Sequence, residues 1–361
     1  MRRVLVPLLL ALSLLSPPLA ARQRAVRVSA PLSVPGIDAI ARKALDQGVP
    51  GIVISVRKGN AFFTRAYGFS DVGAHVARRG DDVFQIGSVT KQFTAAAILR
   101  LEEAGKLHVS DRARSWLPEL DARFDAITIE QLLTHTSGLG DYLAGFGQDL
   151  FRTKSQQEVV AVIANQGLLF QPGARWSYSN SGYFLLGMIV ERASNQSYDQ
   201  FLRDTFFIPL SLSGTSYCGT NGPVPSGYYL DVPSHTAVPM PDIDVSLLYS
   251  AGGVCSTAND LLRWNHALVS GAAVSPASYA RMTTGVQPTH QAPPGYGYAL
   301  VLDSLDGRRW IWHNGVVFGF QTHLAWFPDE DLTIAVSIDA DAAPSELATP
   351  IAVDVARAMA P

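Results

Sequence analysis

In the stretch "FQIGSVTKQFTAAAILRLEEAGK", residues 84–106, a serine and a lysine three residues later stand at the start of an apolar helix. Lysine is scarce in this chain of 361 residues, which carries only Lys43, Lys58, Lys91, Lys106 and Lys154. A lysine can lose its proton when it is desolvated, whereas an arginine stays charged at neutral pH. The place of a lysine at the start of an apolar helix is therefore informative.

The pattern S-x-x-K occurs twice, at Ser55–Lys58 and at Ser88–Lys91, and the first copy is an internal control for the second. The first copy lies in a predicted strand, where residues three apart point to opposite faces. The second lies in the first turn of a helix, where residues three apart share a face at about 5–6 Å between Cβ atoms. The alternative is that Ser88 only caps the helix and Lys91 is a solvated surface residue.

The geometry of the second copy suits nucleophilic catalysis. A serine hydroxyl is a weak nucleophile until a base accepts its proton. Apolar neighbours such as Phe84 and Phe93 would lower the pKa of Lys91, so that its neutral amine can be that base. The helix start also favours developing negative charge at Ser88. The pair predicts a lysine-activated serine.

The first residues of the chain have the composition of an export signal. Arg2 and Arg3 precede an apolar run at residues 4–15, and small residues follow at Ala20 and Ala21. The run is too short to span a bilayer, so we predict a signal peptide at 1–21, with an uncleaved anchor as the alternative. We predict a linker at 22–35, one domain at 36–361, and a periplasmic or secreted protein with no stable membrane anchor after cleavage.

Composition excludes several other classes of protein. The net charge is −3 and no basic stripe occurs, which argues against nucleic acid as a partner. The histidines are scattered and no nucleotide-binding or α/β-hydrolase signature is found, so we predict no metal and no cofactor. Cys218 and Cys255 could form a disulfide in an oxidising compartment, or could remain buried free thiols.

The order of predicted elements indicates the fold class. A helix at 37–48 and a β-hairpin at 51–71 begin the domain, and strands at 296–305, 308–316, 320–327 and 332–339 precede a last helix at 345–359. The residues between are mainly helical. We therefore predict an α+β fold, in which N- and C-terminal strands form one antiparallel sheet flanked by helices, beside a mainly helical second lobe.

Five motifs in order carry a family resemblance: "FQIGSVTKQFTA", "LLTHTSGL", "YSNSGYFLLGMIVE", "SAGGVCSTANDLLRW" and "HNG". Together they resemble the serine β-lactamase and penicillin-binding-protein superfamily. They are most similar to its class C β-lactamase-like branch, which includes D-alanyl-D-alanine carboxypeptidases, D-aminopeptidases and family VIII esterases. The resemblance implies a β-lactamase/transpeptidase-like fold and an acyl-enzyme mechanism.

The resemblance also implies roles for individual residues. Ser88 would be the acylated nucleophile, Lys91 its base, and Tyr178 a proton shuttle. The usual pKa of a tyrosine, near 10, makes that role costly unless a charged Lys91 lowers it. Substrate contacts and the oxyanion hole would come from Asn180, His313, Asn314 and Gly315, with backbone N–H groups of Ser88 and Val316.

The third element departs from the lactamase form, because His-Asn-Gly stands where Lys-Thr-Gly is usual. A neutral His313 would leave a substrate carboxylate without a fixed cation, unless Arg281 or Arg308 supplied one. We expect such a carboxylate to bind better as the pH falls through the pKa of His313. The change argues more strongly against a β-lactamase than against a serine hydrolase in general.

Four other residues have open roles. His135 could be catalytic, although an ordering role in its loop is favoured, and Tyr142 is a candidate for lining the substrate site. Trp310 and Trp312 could form a cleft wall or pack in the core.

The sequence predicts an exported serine hydrolase that cleaves an ester or amide of a small molecule or peptide, with cell-wall peptides among the candidates. Esterase or D-amino-acid and muropeptide peptidase activity is favoured over β-lactam hydrolysis. The alternative is a penicillin-recognising or peptidoglycan-binding module with little or no turnover. The oligomeric state is left open.

Overall fold

The computed structural model of the protein describes residues 32–147, 149–222, 225–241, 244–286, 295–342 and 346–360. The predicted signal peptide and most of the predicted linker lie outside the described residues. Among the residues described, no helix combines the length and the apolarity that crossing a bilayer requires.

A seven-stranded antiparallel sheet joins the two ends of the domain. Its strands run in the spatial order β3-β2-β1-β12-β11-β10-β9. Their bounds are β1 Gly51–Lys58, β2 Ala61–Asp71, β3 Val76–Ala77, β9 Val301–Leu305, β10 Arg308–Val317, β11 Phe320–Phe327 and β12 Leu332–Ile338. The N-terminal hairpin joins the C-terminal strands through β1 and β12, where Ile52 lies opposite Ile338. The predicted sheet is confirmed.

The strand predicted at 296–305 is shorter in the structure. Tyr296 makes only isolated bridges, to Val286 and Val301. Ala299 adopts φ +58°, which breaks an extended run, so β9 begins only at Val301. Tyr296, in the segment before this turn, contacts residues of the candidate site.

Two small sheets lie outside the large one. One contains β4 Phe84–Gln85, β5 Ser216–Tyr217 and β8 Val254–Ser256, and the other contains β6 Tyr228–Asp231, β7 Thr236–Pro239 and β13 Ala340–Asp341. A disulfide joins Cys218 to Cys255 with 5.0 Å between their Cα atoms. Since Gln85 pairs with Cys255, the disulfide fixes a strand beside the one that leads to Ser88.

Helices cover both faces of the large sheet. Within the described residues they are α1 Ile37–Asp46, α2 Thr90–Glu103, α3 Ala113–Trp116, α4 Ile129–Leu133, α5 Tyr142–Phe146, α6 Gln156–Gln166, α7 Asn180–Ser194, α8 Tyr198–Leu202, α9 Val245–Gly252, α10 Ala258–Ser270, α11 Pro276–Met282 and α12 Ala348–Ala358. The helices α4 and α6 begin with capping boxes, formed by Thr128 with Gln131 and by Ser155 with Glu158.

Side chains that alternate along the strands pack into two hydrophobic cores, one on each face of the large sheet. Ile54 and Val336 pack with α1 and α12 on one face, while Val53 belongs to the core that contains α2 and α7. Trp310 packs in the first of these cores with its ring 5.0 Å from that of Trp312, so the pair has a packing role. Successive side chains of β1 thus point into different layers, and both layers are buried.

Candidate active site

A tight turn presents Ser88. The chain leaves β4, passes through Gly87 at φ +50°, and forms a 3₁₀ turn over Gly87–Val89 before α2 starts at Thr90. The helix predicted to start at Ser88 therefore begins with a tighter turn. A Cβ on Gly87 would lie 3.0 Å from the backbone nitrogen of Val316, so glycine meets both the left-handed conformation and the close approach of β10.

The Ser88 hydroxyl lies between two candidate proton carriers. Its Oγ is 2.9 Å from Lys91 Nζ and accepts a hydrogen bond of 2.8 Å from Tyr178 Oη. Lys91 is completely buried, and its Nζ also donates to Asn180 Oδ1 at 2.7 Å and to the Ala251 carbonyl at 2.8 Å. The structure thus brings together five residues that the sequence distributes over three motifs.

Burial sets the charge of the lysine. Desolvation lowers the pKa of Lys91 to about 7, while the carboxylate of Asp141 opposes that shift. The neutral amine is therefore well populated at neutral pH. Lys91 is not the solvated surface residue of the alternative interpretation.

Asp141 is a site residue that the sequence interpretation missed. It caps α5 by accepting from the Leu143 amide at 3.0 Å, and it accepts from Asn180 Nδ2 at 2.7 Å. Asn180 therefore links the carboxylate to the lysine, with its amide oxygen fixed toward Lys91. An aspartate at the N-cap of a short helix directly after "HTSGLG" is the signal that could have identified it.

Tyr178 differs from the expectation. Desolvation raises its pKa well above the ordinary value near 10, and Asp141 adds to the rise, although the Ser88 hydrogen bond opposes it. The condition for an inexpensive proton shuttle, a Tyr178 pKa lowered by Lys91, is therefore not met, because burial dominates. In the resting site Tyr178 is a neutral phenol that donates to Ser88.

The end of β10 closes the other side of the nucleophile turn. A Cβ on Gly315 would lie 1.9 Å from the carbonyl oxygen of Ile86 and 3.0 Å from the nitrogen of Ser88, so only glycine permits this approach. The backbone nitrogens of Ser88 and Val316 are brought to the same corner of the site. Their assignment to an oxyanion hole stays a prediction.

The side chains of the His-Asn-Gly element point to opposite faces of β10. His313 is buried, within 3.0 Å of Tyr296 Oη and 2.5 Å of the Asn314 carbonyl oxygen. Asn314 instead donates from Nδ2 to Glu346 at 2.6 Å, outside the cluster around Ser88. Strand alternation is the cause, and it leaves the predicted substrate contact of the Asn314 side chain without support.

Charge at His313 also differs from the expectation. Desolvation and the nearby Lys91 lower the pKa of His313 to about 3. His313 is therefore neutral at a pH near the ordinary pKa of a histidine, and the expected gain in carboxylate binding as the pH falls through that range loses its basis. Arg281 and Arg308, the other candidate cations, form ion pairs with Glu102 and Glu330.

His135 orders its loop, as favoured from the sequence. It adopts φ +58°, its Nδ1 accepts from the Ser179 amide at 3.2 Å, and its ring lies 4.4 Å from that of Tyr178. Tyr142, in contrast, is fully buried and donates its hydroxyl to the Leu247 carbonyl. It is a core residue, and the prediction that it lines the substrate site is wrong.

Metal-ligating side chains do not converge in the part of the chain that the structure describes. No group of three histidine, cysteine, aspartate or glutamate residues there could hold a metal ion. The predicted lack of a metal and of a cofactor stays a prediction.

A two-terminus antiparallel sheet, a helical lobe and an S-x-x-K serine directly before a helix are the features expected of the serine β-lactamase and penicillin-binding-protein superfamily. The model of the Beta-lactamase family matches residues 37–357, and the chain belongs to this family. The predicted superfamily and fold class are confirmed.

Two kinds of relatives accompany the family match. Penicillin-binding protein 4* of Bacillus subtilis is 31% identical over 303 residues, which cover 79% of this chain and 66% of that protein. This chain thus spans just under two thirds of the length of that curated relative.

The solved structures agree in fold. A D-stereospecific amidohydrolase from Streptomyces sp. matches with a TM-score of 0.78 and 27% identity, over 90% of this chain and 98% of that one. A D-amino acid amidase from Ochrobactrum anthropi SV3 matches with a TM-score of 0.81 and 22% identity, over 90% and 97% of the two chains. At that identity the second match bears on the fold alone.

Proposed function

We propose that this protein is an exported serine hydrolase that cleaves an ester or amide through an acyl-enzyme on Ser88. One observation carries the proposal: Ser88 Oγ lies 2.9 Å from Lys91 Nζ and 2.8 Å from Tyr178 Oη. A lysine with a pKa of about 7 supplies a neutral amine that can accept the serine proton.

The proton path follows from these contacts. Lys91 accepts the proton of Ser88 as Oγ forms a bond to the substrate carbonyl carbon. The bond to the leaving group then breaks, and the phenol of Tyr178 protonates that group and regains a proton from Lys91. In the second half of the reaction water attacks the acyl-enzyme, and the same groups carry the protons in the opposite direction. The acid product leaves and the Ser88 hydroxyl is restored.

Backbone donors would stabilise the tetrahedral intermediate. The N–H groups of Ser88 and Val316 meet at the corner formed by Gly87 and Gly315. Removal of one such donor typically costs about 10²–10³-fold in kcat.

The D-configured amides and esters are our leading substrate class. The similarity to a D-stereospecific amidohydrolase supports this choice, and the similarity to a penicillin-binding protein keeps cell-wall peptides as candidates. A β-lactam ranks lower, because its carboxylate would meet a neutral His313 instead of a fixed cation.

Mass spectrometry of the intact protein tests the proposal. The protein is exposed to a D-amino acid amide, a p-nitrophenyl ester, a D-Ala-D-Ala peptide and a penicillin, with Ser88→Ala as the control. Transient adducts on Ser88 with repeated product release are the expected result. Adducts that never turn over would favour the binding module, and turnover by Ser88→Ala would overturn the assignment.

Export is the second part of the proposal. The signal-like composition of residues 1–21 and the Cys218–Cys255 disulfide support an oxidising compartment outside the cytoplasm. Cell fractionation with N-terminal sequencing tests it, and we expect a new N-terminus close to Ala21. An uncleaved protein in the cytoplasm would contradict export without affecting the hydrolase assignment.

A further inference from the structure

A buried hydrogen-bond chain connects the two walls of the candidate site. It consists of the Ser179 amide, His135, Tyr296, His313 and the Asn314 carbonyl. The successive distances are 3.2, 3.1, 3.0 and 2.5 Å. One end is the turn that carries Tyr178, and the other is the His-Asn-Gly element of β10.

The positions of the protons in this hydrogen-bond chain follow from the groups at its two ends. A backbone N–H can only donate, so Ser179 makes His135 Nδ1 an acceptor and places the imidazole proton on Nε2. A carbonyl can only accept, so Asn314 places the proton of His313 on Nδ1. Burial lowers the pKa of both imidazoles, so each carries a single proton.

Tyr296 is the one partner that satisfies both imidazoles. It accepts from Nε2 of His135 and donates its hydroxyl proton to Nε2 of His313. Burial raises the pKa of Tyr296 well above its ordinary value, so the hydroxyl keeps the proton that it donates. A phenylalanine would leave one buried donor and one buried acceptor without partners, although it would keep the ring contacts.

We propose that Tyr296 is a positioning residue that locks His135 and His313 in complementary neutral tautomers and so fixes the Tyr178 turn against the end of β10. The proposal rests on the proposed function, because its consequence is the placement of Tyr178 over Ser88. His135 packs 4.4 Å from the Tyr178 ring, and His313 packs 6.3 Å from it, between ring centroids. Without the Tyr296 hydroxyl, the imidazole rings of His135 and His313, which pack beside Tyr178, lose the hydrogen bonds that orient them.

The test compares Tyr296→Phe with Tyr298→Phe. Tyr298→Phe loses one hydrogen bond, the 2.7 Å bond to Glu130, whereas Tyr296→Phe loses two. Tyr298 does not belong to the hydrogen-bond chain between the two histidines. Histidine ¹⁵N NMR reports the tautomers, with the His313 signal assigned by its loss in His313→Gln. Steady-state kinetics on the best substrate report kcat and KM separately.

We expect wild-type His313 to carry its proton on Nδ1, and Tyr296→Phe to lose this single tautomer. The same variant should lower kcat about tenfold or more through misplacement, with little change in KM, whereas Tyr298→Phe should change neither readout. A wild-type His313 protonated on Nε2 would overturn the proposal, and so would an unchanged kcat in Tyr296→Phe.

The NMR readout needs no activity and can be repeated in Ser88→Ala. Failure of the proposed function would therefore show as turnover that does not depend on Ser88, while the tautomers remain as described. Failure of the present inference would leave the role of Ser88 intact.

Discussion

The two S-x-x-K copies place the same residue types in two different regions of the molecule. On β1, Ser55 turns toward α10 and lies 2.9 Å from Thr64 Oγ1 and 3.3 Å from Asn259 Oδ1. Lys58 ends the strand, half-buried, on the opposite face. In the nucleophile turn, Lys91 Nζ reaches Ser88 Oγ directly.

The difference shows that the pattern has chemical meaning only in a helical turn. Backbone geometry decides whether the two side chains meet, and burial then decides the protonation of the amine. Asn180 and the Ala251 carbonyl fix the amine of Lys91, and they come from parts of the chain remote from the motif.

The largest effect should come from Ser88→Ala. We expect turnover to fall by at least about 10⁴-fold, because the acylated atom is missing. Stability should change by about 1 kcal/mol or less, since the hydroxyl contributes few contacts beyond those to Lys91 and Tyr178. Turnover and a thermal melt on the same preparation check both statements. Near wild-type turnover would remove Ser88 as the nucleophile.

The next effect separates the two lysines. Lys91→Ala should slow acylation by about 10²–10⁴-fold, the usual contribution of a general base, while Lys58→Ala should leave it unchanged. Single-turnover kinetics on one ester substrate measure the acylation step. Equal rate losses in the two variants would break the contrast between turn and strand.

The sequence was sufficient for the large sheet and for the meeting of Ser88 with Lys91. Hydrophobic alternation and turn residues predict β1, β2 and β10–β12, because these strands are long and follow a simple period. The nucleophile turn is local, so residue spacing predicts that the side chains of Ser88 and Lys91 meet, although the 3₁₀ form of the turn is known only from the structure.

The rest of the site depends on contacts that the sequence does not order. Asp141 and Tyr296 approach the cluster only after remote segments pack. Asp141 has a local signal in its N-cap position after "HTSGLG", whereas Tyr296 has none. The pKa values of Tyr178 and His313 depend on burial, which residue type does not reveal. The direction of Asn314 is different in kind, because the alternation of the predicted strand at 308–316 already places it opposite His313.

A smaller effect concerns pH. Acylation requires the neutral amine of Lys91, so its rate should rise as pH increases through about 7 and level off above. The Asp141 carboxylate favours the charged lysine and raises its pKa, so Asp141→Asn should move the midpoint to lower pH.

Single-turnover rates between pH 5 and 9 measure this midpoint. Asp149→Asn is the matched control, since it removes a carboxylate that pairs with Lys154 instead. A midpoint that stays in place in Asp141→Asn, or that moves equally in both variants, would contradict the assignment of Lys91 as the titrating base.

The smallest effect on activity should come from Ser55→Ala, where the contrast predicts a structural role alone. The substitution removes a buried hydroxyl and its bonds to Thr64 and Asn259, which should cost about 1 kcal/mol of unfolding free energy. Thr64 still donates to Asn259, so the loss is partly compensated and the β1–α10 packing should persist. Turnover should stay within about twofold of the wild type, since the variant removes no group that contacts Ser88. Urea denaturation and turnover on one preparation measure both quantities. A tenfold loss of turnover with unchanged stability would show that the strand copy also serves the site, and the distinction between the two copies would fail.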